Sequence, residues 1–166
     1  MKDLKAKDLS VGGILIALTI LTLYINLIIP INTFAILTIS SCYVPIAIMR
    51  SNIKTGLFVY VASSIIGFFF IPLKIMIPFI LYFGIYGLIK YYIEKLNKLL
   101  LEIILKLVFS NIMLFISYYV FTSFVGNINF KFPLLALLIA AQFAFIIFDY
   151  ALTLIITFYI SKFHKK

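Results

Sequence analysis

Six continuous apolar runs, separated by short stretches rich in charge, Asn and Pro, organise this 166-residue chain. Each run has helical length and none shows the strict polar–apolar alternation of a membrane β-barrel strand. The pattern predicts helices at about 11–29, 34–49, 55–71, 75–93, 103–125 and 133–161. The second is the shortest: sixteen residues rise only about 24 Å, so it is expected to tilt little or to sit partly behind its neighbours. Pro30 and Pro72 close rising helices at two outer corners, IIPIN and FIPLK, because proline cannot donate the backbone bond that continues a helix.

Composition settles the solvent. At 65% hydrophobic and 11% charged residues, with a mean hydropathy of +1.23, there is too little polar surface to coat a water-soluble globule. The expectation is an all-α polytopic membrane protein: one bundle of six transmembrane helices covering residues 1–166, surrounded by membrane lipid.

Charge then orients the bundle. Lys2, Lys5, Lys7, Arg50, Lys54, Lys90, Lys95, Lys98, Lys106, Lys162, Lys165 and Lys166 fall on one side of the six-span pattern, and only Lys74 and Lys131 on the other. By the positive-inside rule both termini are expected in the cytoplasm. The net charge of +9 is spread over helix ends, where it serves orientation and anionic headgroups, so no nucleic-acid partner is expected. The basic N-terminus precedes an apolar run of nearly twenty residues without a small-residue cleavage site, and is expected to remain as the first helix. The residue usage, rich in Ile, Lys, Asn, Phe and Tyr and lacking Trp, points by association to a bacterial cell membrane.

Residues 94–106, EKLNKLLLEIILK, form the clearest amphipathic segment. Lys95, Lys98, Glu102 and Lys106 recur at helical spacing opposite a leucine and isoleucine face, which predicts an interfacial helix on the cytoplasmic surface running into the fifth span. Glu94 with Lys98, and Glu102 with Lys106, have the favourable order for ion pairs one turn apart. Small residues four apart, Gly13 with Ala17 and the row Ala136, Ala140 and Ala144, mark faces where helices approach closely, either within the bundle or against another membrane subunit.

Candidate chemistry is sparse. Asp149 is the costly residue, sixteen positions into the last span and about 24 Å from its outer boundary. A charged Asp there costs about 2.5 to 3.5 kcal/mol on insertion scales, so it must face protein or water or be protonated. Gln142 lies two turns earlier on the same face; with the small row on another, this suggests that the last helix is central. Lys106, Ser110 and Asn111 of the fifth span lie at comparable depth as candidate partners. A structural polar network and a transport role both remain open. At the outer end, Asn26, Asn32, Lys74, Asn127, Asn129 and Lys131, with Tyr82 and Gln142 deeper, are placed to surround a small polar ligand, the two lysines favouring an anionic group. Ordinary solvated loops have the same composition. Cys42 is the sole cysteine, which excludes an internal disulfide and a cysteine metal cluster. No phosphate-binding glycine loop, no paired intramembrane carboxylates and no His within the spans occur, so neither ATP hydrolysis nor familiar intramembrane hydrolysis is expected, and no cofactor or metal.

Six spans in so short a chain, the basic N-terminus, and GGILIALTILTLYINLIIPIN with Gly13 four residues before Ala17 resemble the substrate-binding S components of energy-coupling factor transporters. The likeness covers the whole chain in architecture and the first span in motif, with glycine standing where the family has the first of two alanines. It implies capture of a vitamin or similar micronutrient from outside, with ATPase subunits supplying energy and Gly13 and Ala17 meeting a coupling membrane subunit. It implies a pocket built by the outer loops and later spans, for which the candidates are Asn32, Lys74, Tyr82, Asn129, Lys131 and Gln142. A rival expectation, from size and span count, is a non-catalytic scaffold of cell-envelope assembly similar to MreD-like shape proteins.

Overall fold

The structure, a computed structural model, describes residues 6–28, 32–125 and 134–163. These residues form α1 (Ala6–Ile28), α2 (Thr33–Arg50), α3 (Ile53–Phe70), α4 (Leu73–Pro78), a π-helical turn (Phe79–Gly84), α5 (Ile85–Glu94), α6 (Leu99–Val125) and α7 (Leu134–Phe163). No strand occurs among them. Because α4, the π turn and α5 run on as one 22-residue element, six helices are long and apolar enough to cross a membrane. The end at which α1 starts and α7 finishes carries Lys7, Arg50, Lys54, Lys95, Lys98 and Lys162, and is called the basic end below.

Local chemistry sets the breaks. Asn52 caps α3, its side-chain oxygen accepting from the Thr55 amide at 3.0 Å, and Asn32 caps α2 in the same way through the Ala35 amide at 3.2 Å. Asn52→Ala is expected to cost about 1 kcal/mol, measurable as a shift in reversible unfolding in mixed micelles. Pro78 has no amide hydrogen to give, and the fourth span widens into its π turn directly after it. There the Tyr60 hydroxyl of α3 donates to the Ile80 carbonyl at 2.8 Å. Buried hydroxyls of Thr19, Ser40, Ser41 and Ser63 donate to carbonyls of their own helices, so they need no water.

The hub is α2 together with the fourth span. One core cluster (Leu15, Ile16, Val44, Ala47, Ile48, Val59, Leu88) joins α2 to α1, α3 and α5. The other includes Leu37, Met76, Phe79, Tyr82, Phe83, Tyr86, Phe109, Phe145, Phe148 and Leu152, and joins α2 to the fourth span, α6 and α7. The short second helix therefore sits among its neighbours. The last helix is not central: Phe143, Ile146, Ile147, Tyr150, Leu154 and Phe158 are all exposed along it. Its buried side chains with described positions, Phe145, Phe148 and Leu152, form one narrow stripe.

Close approach is set by glycines other than the pair singled out in the sequence. A Cβ on Gly56 of α3 would lie 2.3 Å from Ile48 Cγ1, and one on Gly87 of α5 would lie 2.7 Å from Pro45 Cδ, both atoms of α2. Gly13 faces outward with nothing within 4 Å of where its Cβ would be, and Ala17 is likewise exposed.

The amphipathic segment is not one helix. α5 ends at Glu94, residues 95–98 turn with Asn97 at a left-handed φ of 52°, and α6 begins at Leu99. Asn tolerates that backbone because its short polar side chain bonds locally. The break separates Glu94 from Lys98 as helical neighbours, and Glu94 pairs instead with Lys90 and Lys106.

Candidate functional site

The π turn and α5 present Tyr82, Phe83, Tyr86 and Lys90 to the interior, and all four are buried. Tyr86, Lys90 and Glu94 recur at four-residue spacing and therefore share one face of α5. Opposite them stand Lys106 and Ser110 of α6 and Asp149 and Thr153 of α7, two further pairs one turn apart.

These residues close a ring of charge. Lys90 pairs with Asp149 Oδ1 and, at 2.8 Å, with Glu94 Oε1. Lys106 pairs with Glu94 Oε1 at 2.9 Å and with Asp149 Oδ2 at 3.1 Å. Two ammonium groups alternate with two carboxylates, so the ring is formally neutral. The Tyr86 hydroxyl donates to Asp149 Oδ1 at 2.7 Å, and Lys90 donates to Thr153 Oγ1 at 2.8 Å. Side-chain exposure grades around it, from 2% at Lys90 and 12% at Lys106 to 22% at Asp149 and 39% at Glu94. A cavity of about 60 Å³, lined in part by Pro45, Ile48, Gly87, Lys90, Glu94 and Ile156, adjoins the ring between α2, α5 and α7. Its walls are mostly apolar, with Lys90 and Glu94 on the side of the ring.

Asp149 lies eleven residues into the 22-residue apolar stretch Leu138–Tyr159, near its midpoint. Its cost in lipid is met by two lysines and a tyrosine, the arrangement that intramembrane acids require. Of the partners expected for it, only Lys106 is one. Ser110 bonds Tyr82 at 2.8 Å and Asn111 accepts from Gln142 Nε2 at 2.7 Å. Lys90, Glu94, Tyr86 and Thr153 are not marked in the sequence as partners of Asp149, since Lys90 and Glu94 fit the basic, amphipathic end of the chain equally well. The signal that was there is the four-residue spacing of Tyr86, Lys90 and Glu94.

Outward of the ring an aromatic layer joins the same helices. Tyr86 stacks on Phe109 at 5.6 Å, Phe83 meets Phe148 at 4.9 Å, and Tyr82 meets Phe145 edge-on at 6.2 Å. Such pairs contribute roughly 0.5 to 1.5 kcal/mol each beyond area burial. Above it come the Tyr82–Ser110 and Gln142–Asn111 pairs. Gln142 Oε1 is buried there without a hydrogen-bond partner among the described residues.

The outer ligand candidates are only partly brought together. Tyr82 is buried in the aromatic layer and bonded to Ser110, Gln142 is bonded to Asn111, Asn32 is spent as the α2 cap, and Lys74 is exposed at the start of α4. Asn26 accepts from Thr33 at 3.2 Å, closing the first corner. Asn127, Asn129 and Lys131 lie outside the described residues. Among the described residues no cluster of three or more His, Cys, Asp or Glu is placed to hold a metal. Comparison with known proteins adds no assignment: no family model, no curated protein and no solved structure matches the chain.

Proposed function

We propose that this chain is a membrane-embedded binding subunit for a small polar molecule, such as a vitamin or similar micronutrient, energised by separate ATPase subunits in the manner of the S components it resembles. The observation that carries the reading is Gln142 Oε1, a buried acceptor left open at the head of an otherwise bonded polar column. An unmet acceptor in an apolar interior costs about 1 to 3 kcal/mol, which a ligand N–H or O–H would relieve. Asn111, the exposed bonding partner of Gln142 on α6, offers a further polar group. The outward face of Gly13 and Ala17 supports docking of a coupling membrane subunit, since no described residue lies within 4 Å of where a Gly13 Cβ would be and Ala17 is exposed. The charge asymmetry supports cytoplasmic termini in a bacterial plasma membrane.

One observation favours the rival scaffold reading: Asn32 and Tyr82 are both engaged in internal bonds. Native mass spectrometry of protein extracted gently from its own membranes separates the two. A stoichiometric small molecule is expected, and Gln142→Leu is expected to lower its affinity about tenfold, the equivalent of one hydrogen bond of about 1.4 kcal/mol. Ligand-free protein bound only to envelope proteins would replace the binding subunit with the scaffold.

A further inference from the structure

We propose that the Lys90–Asp149–Lys106–Glu94 ring is an electrostatic latch that holds α5, α6 and α7 together near the basic end and leaves the turns of α6 and α7 outward of the Asn111–Gln142 bond free to separate. The inference does not depend on any ligand. It starts from how little else buries these two helices. Among residues with described burial, α6 buries only Phe109 and Ser110, and α7 only Phe145, Phe148 and Leu152. All five lie within seven residues of Lys106 or Asp149. Farther outward, Met113 and Leu114 of α6 are only partly buried against the core, and Phe115 and Tyr119 on α6, with Leu138, Ile139 and Phe143 on α7, are exposed.

The ring is also the one place where three helices are tied by charge among the described residues. Lys106 supplies both charge ties of α6 among the described residues, one to α5 through Glu94 and one to α7 through Asp149. Glu94 is the release point. It is the most exposed member, and both of its ion pairs fall on one oxygen, Oε1, whereas Asp149 uses both oxygens and is also held by Tyr86. Once Glu94 leaves, α6 has the turn at 95–98 to pivot on.

Distances between nitroxide labels measured in lipid nanodiscs test the latch. In a Cys42→Ser background, one protein carries Leu101→Cys and Leu154→Cys, an exposed pair on the basic-end side of the ring. A second carries Tyr119→Cys and Leu138→Cys, an exposed pair outward of it. The inner pair is expected to give one narrow peak and the outer pair a broader distribution. Glu94→Gln combined with Lys106→Met removes both charge ties of α6 but keeps the Lys90–Asp149 pair and the charge balance, so the inner pair is expected to lose its narrow peak. A narrow inner peak in that variant would overturn the proposal by showing that packing alone holds α6. Should the variant not fold, the unsubstituted ring still decides: an inner distribution no narrower than the outer one overturns the latch.

Discussion

Asp149→Ala is expected to destabilise the bundle by about 3 kcal/mol or more, because removing one partner leaves buried charge unmatched. After the substitution Lys90, with 2% of its side chain exposed, and Lys106 share the single carboxylate of Glu94, which is itself 39% exposed. The Tyr86 hydroxyl and its 2.7 Å bond lose their acceptor at the same time. Glu94→Ala also unbalances the ring, but at an exposed edge where water screens what remains, and its expected cost is under about 1 kcal/mol. The ring's neutrality supplies the sharper comparison. Lys90→Met with Asp149→Leu removes one ammonium and one carboxylate and leaves Lys106 paired with Glu94. This double variant is expected to be more stable than Asp149→Ala, since replacing a buried pair by apolar groups is often close to neutral. Reversible unfolding in mixed micelles measures all three. An Asp149→Ala protein no less stable than Glu94→Ala would mean that water already reaches Asp149 and that the ring holds little together.

How far this arrangement was legible in the sequence depends on the residue. The spans were legible because lipid demands uninterrupted apolar runs, and the six helices end within a few residues of where hydropathy places them. Asp149 was legible because an acid in such a run has no cheap environment. Depth alone places Lys106, Ser110 and Asn111 as candidate partners alike, and of these only Lys106 meets it. Lys90 was not legible, since a lysine near the end of a span has an ordinary explanation in the positive-inside pattern, and only the bundle shows it turned inward. The break at 95–98 was hidden for a related reason: helical periodicity carries across it, and what ends α5 is a single Asn with left-handed backbone. The π turn was hidden as well, because Pro78 signals a disturbed helix without saying whether the helix kinks or widens.

Small residues show the same division between pattern and placement, and from them comes the second large expected effect. Gly87→Leu is expected to cost at least about 1 to 3 kcal/mol, the usual range for overpacking a fitted contact. Its Cβ alone would stand 2.7 Å from Pro45 Cδ and 3.3 Å from Val44 Cβ. The proline ring is fixed on its backbone and cannot rotate aside, so α5 and α2 must separate. That separation would spread through the hub, because α2 feeds both core clusters and Gly56 also packs closely on it at Ile48. Gly13→Leu places the same bulk on α1 where nothing lies within 4 Å, and the isolated protein's stability should not fall. If a coupling subunit docks on Gly13 and Ala17, as the proposed function requires, this second variant should instead lose that subunit on gentle extraction. The two glycines thus separate assembly of the bundle from assembly of a complex. Equal unfolding midpoints for Gly87→Leu and the unsubstituted protein would refute the α2–α5 contact, whereas a destabilised Gly13→Leu would place that face inside the fold and remove it as a docking surface.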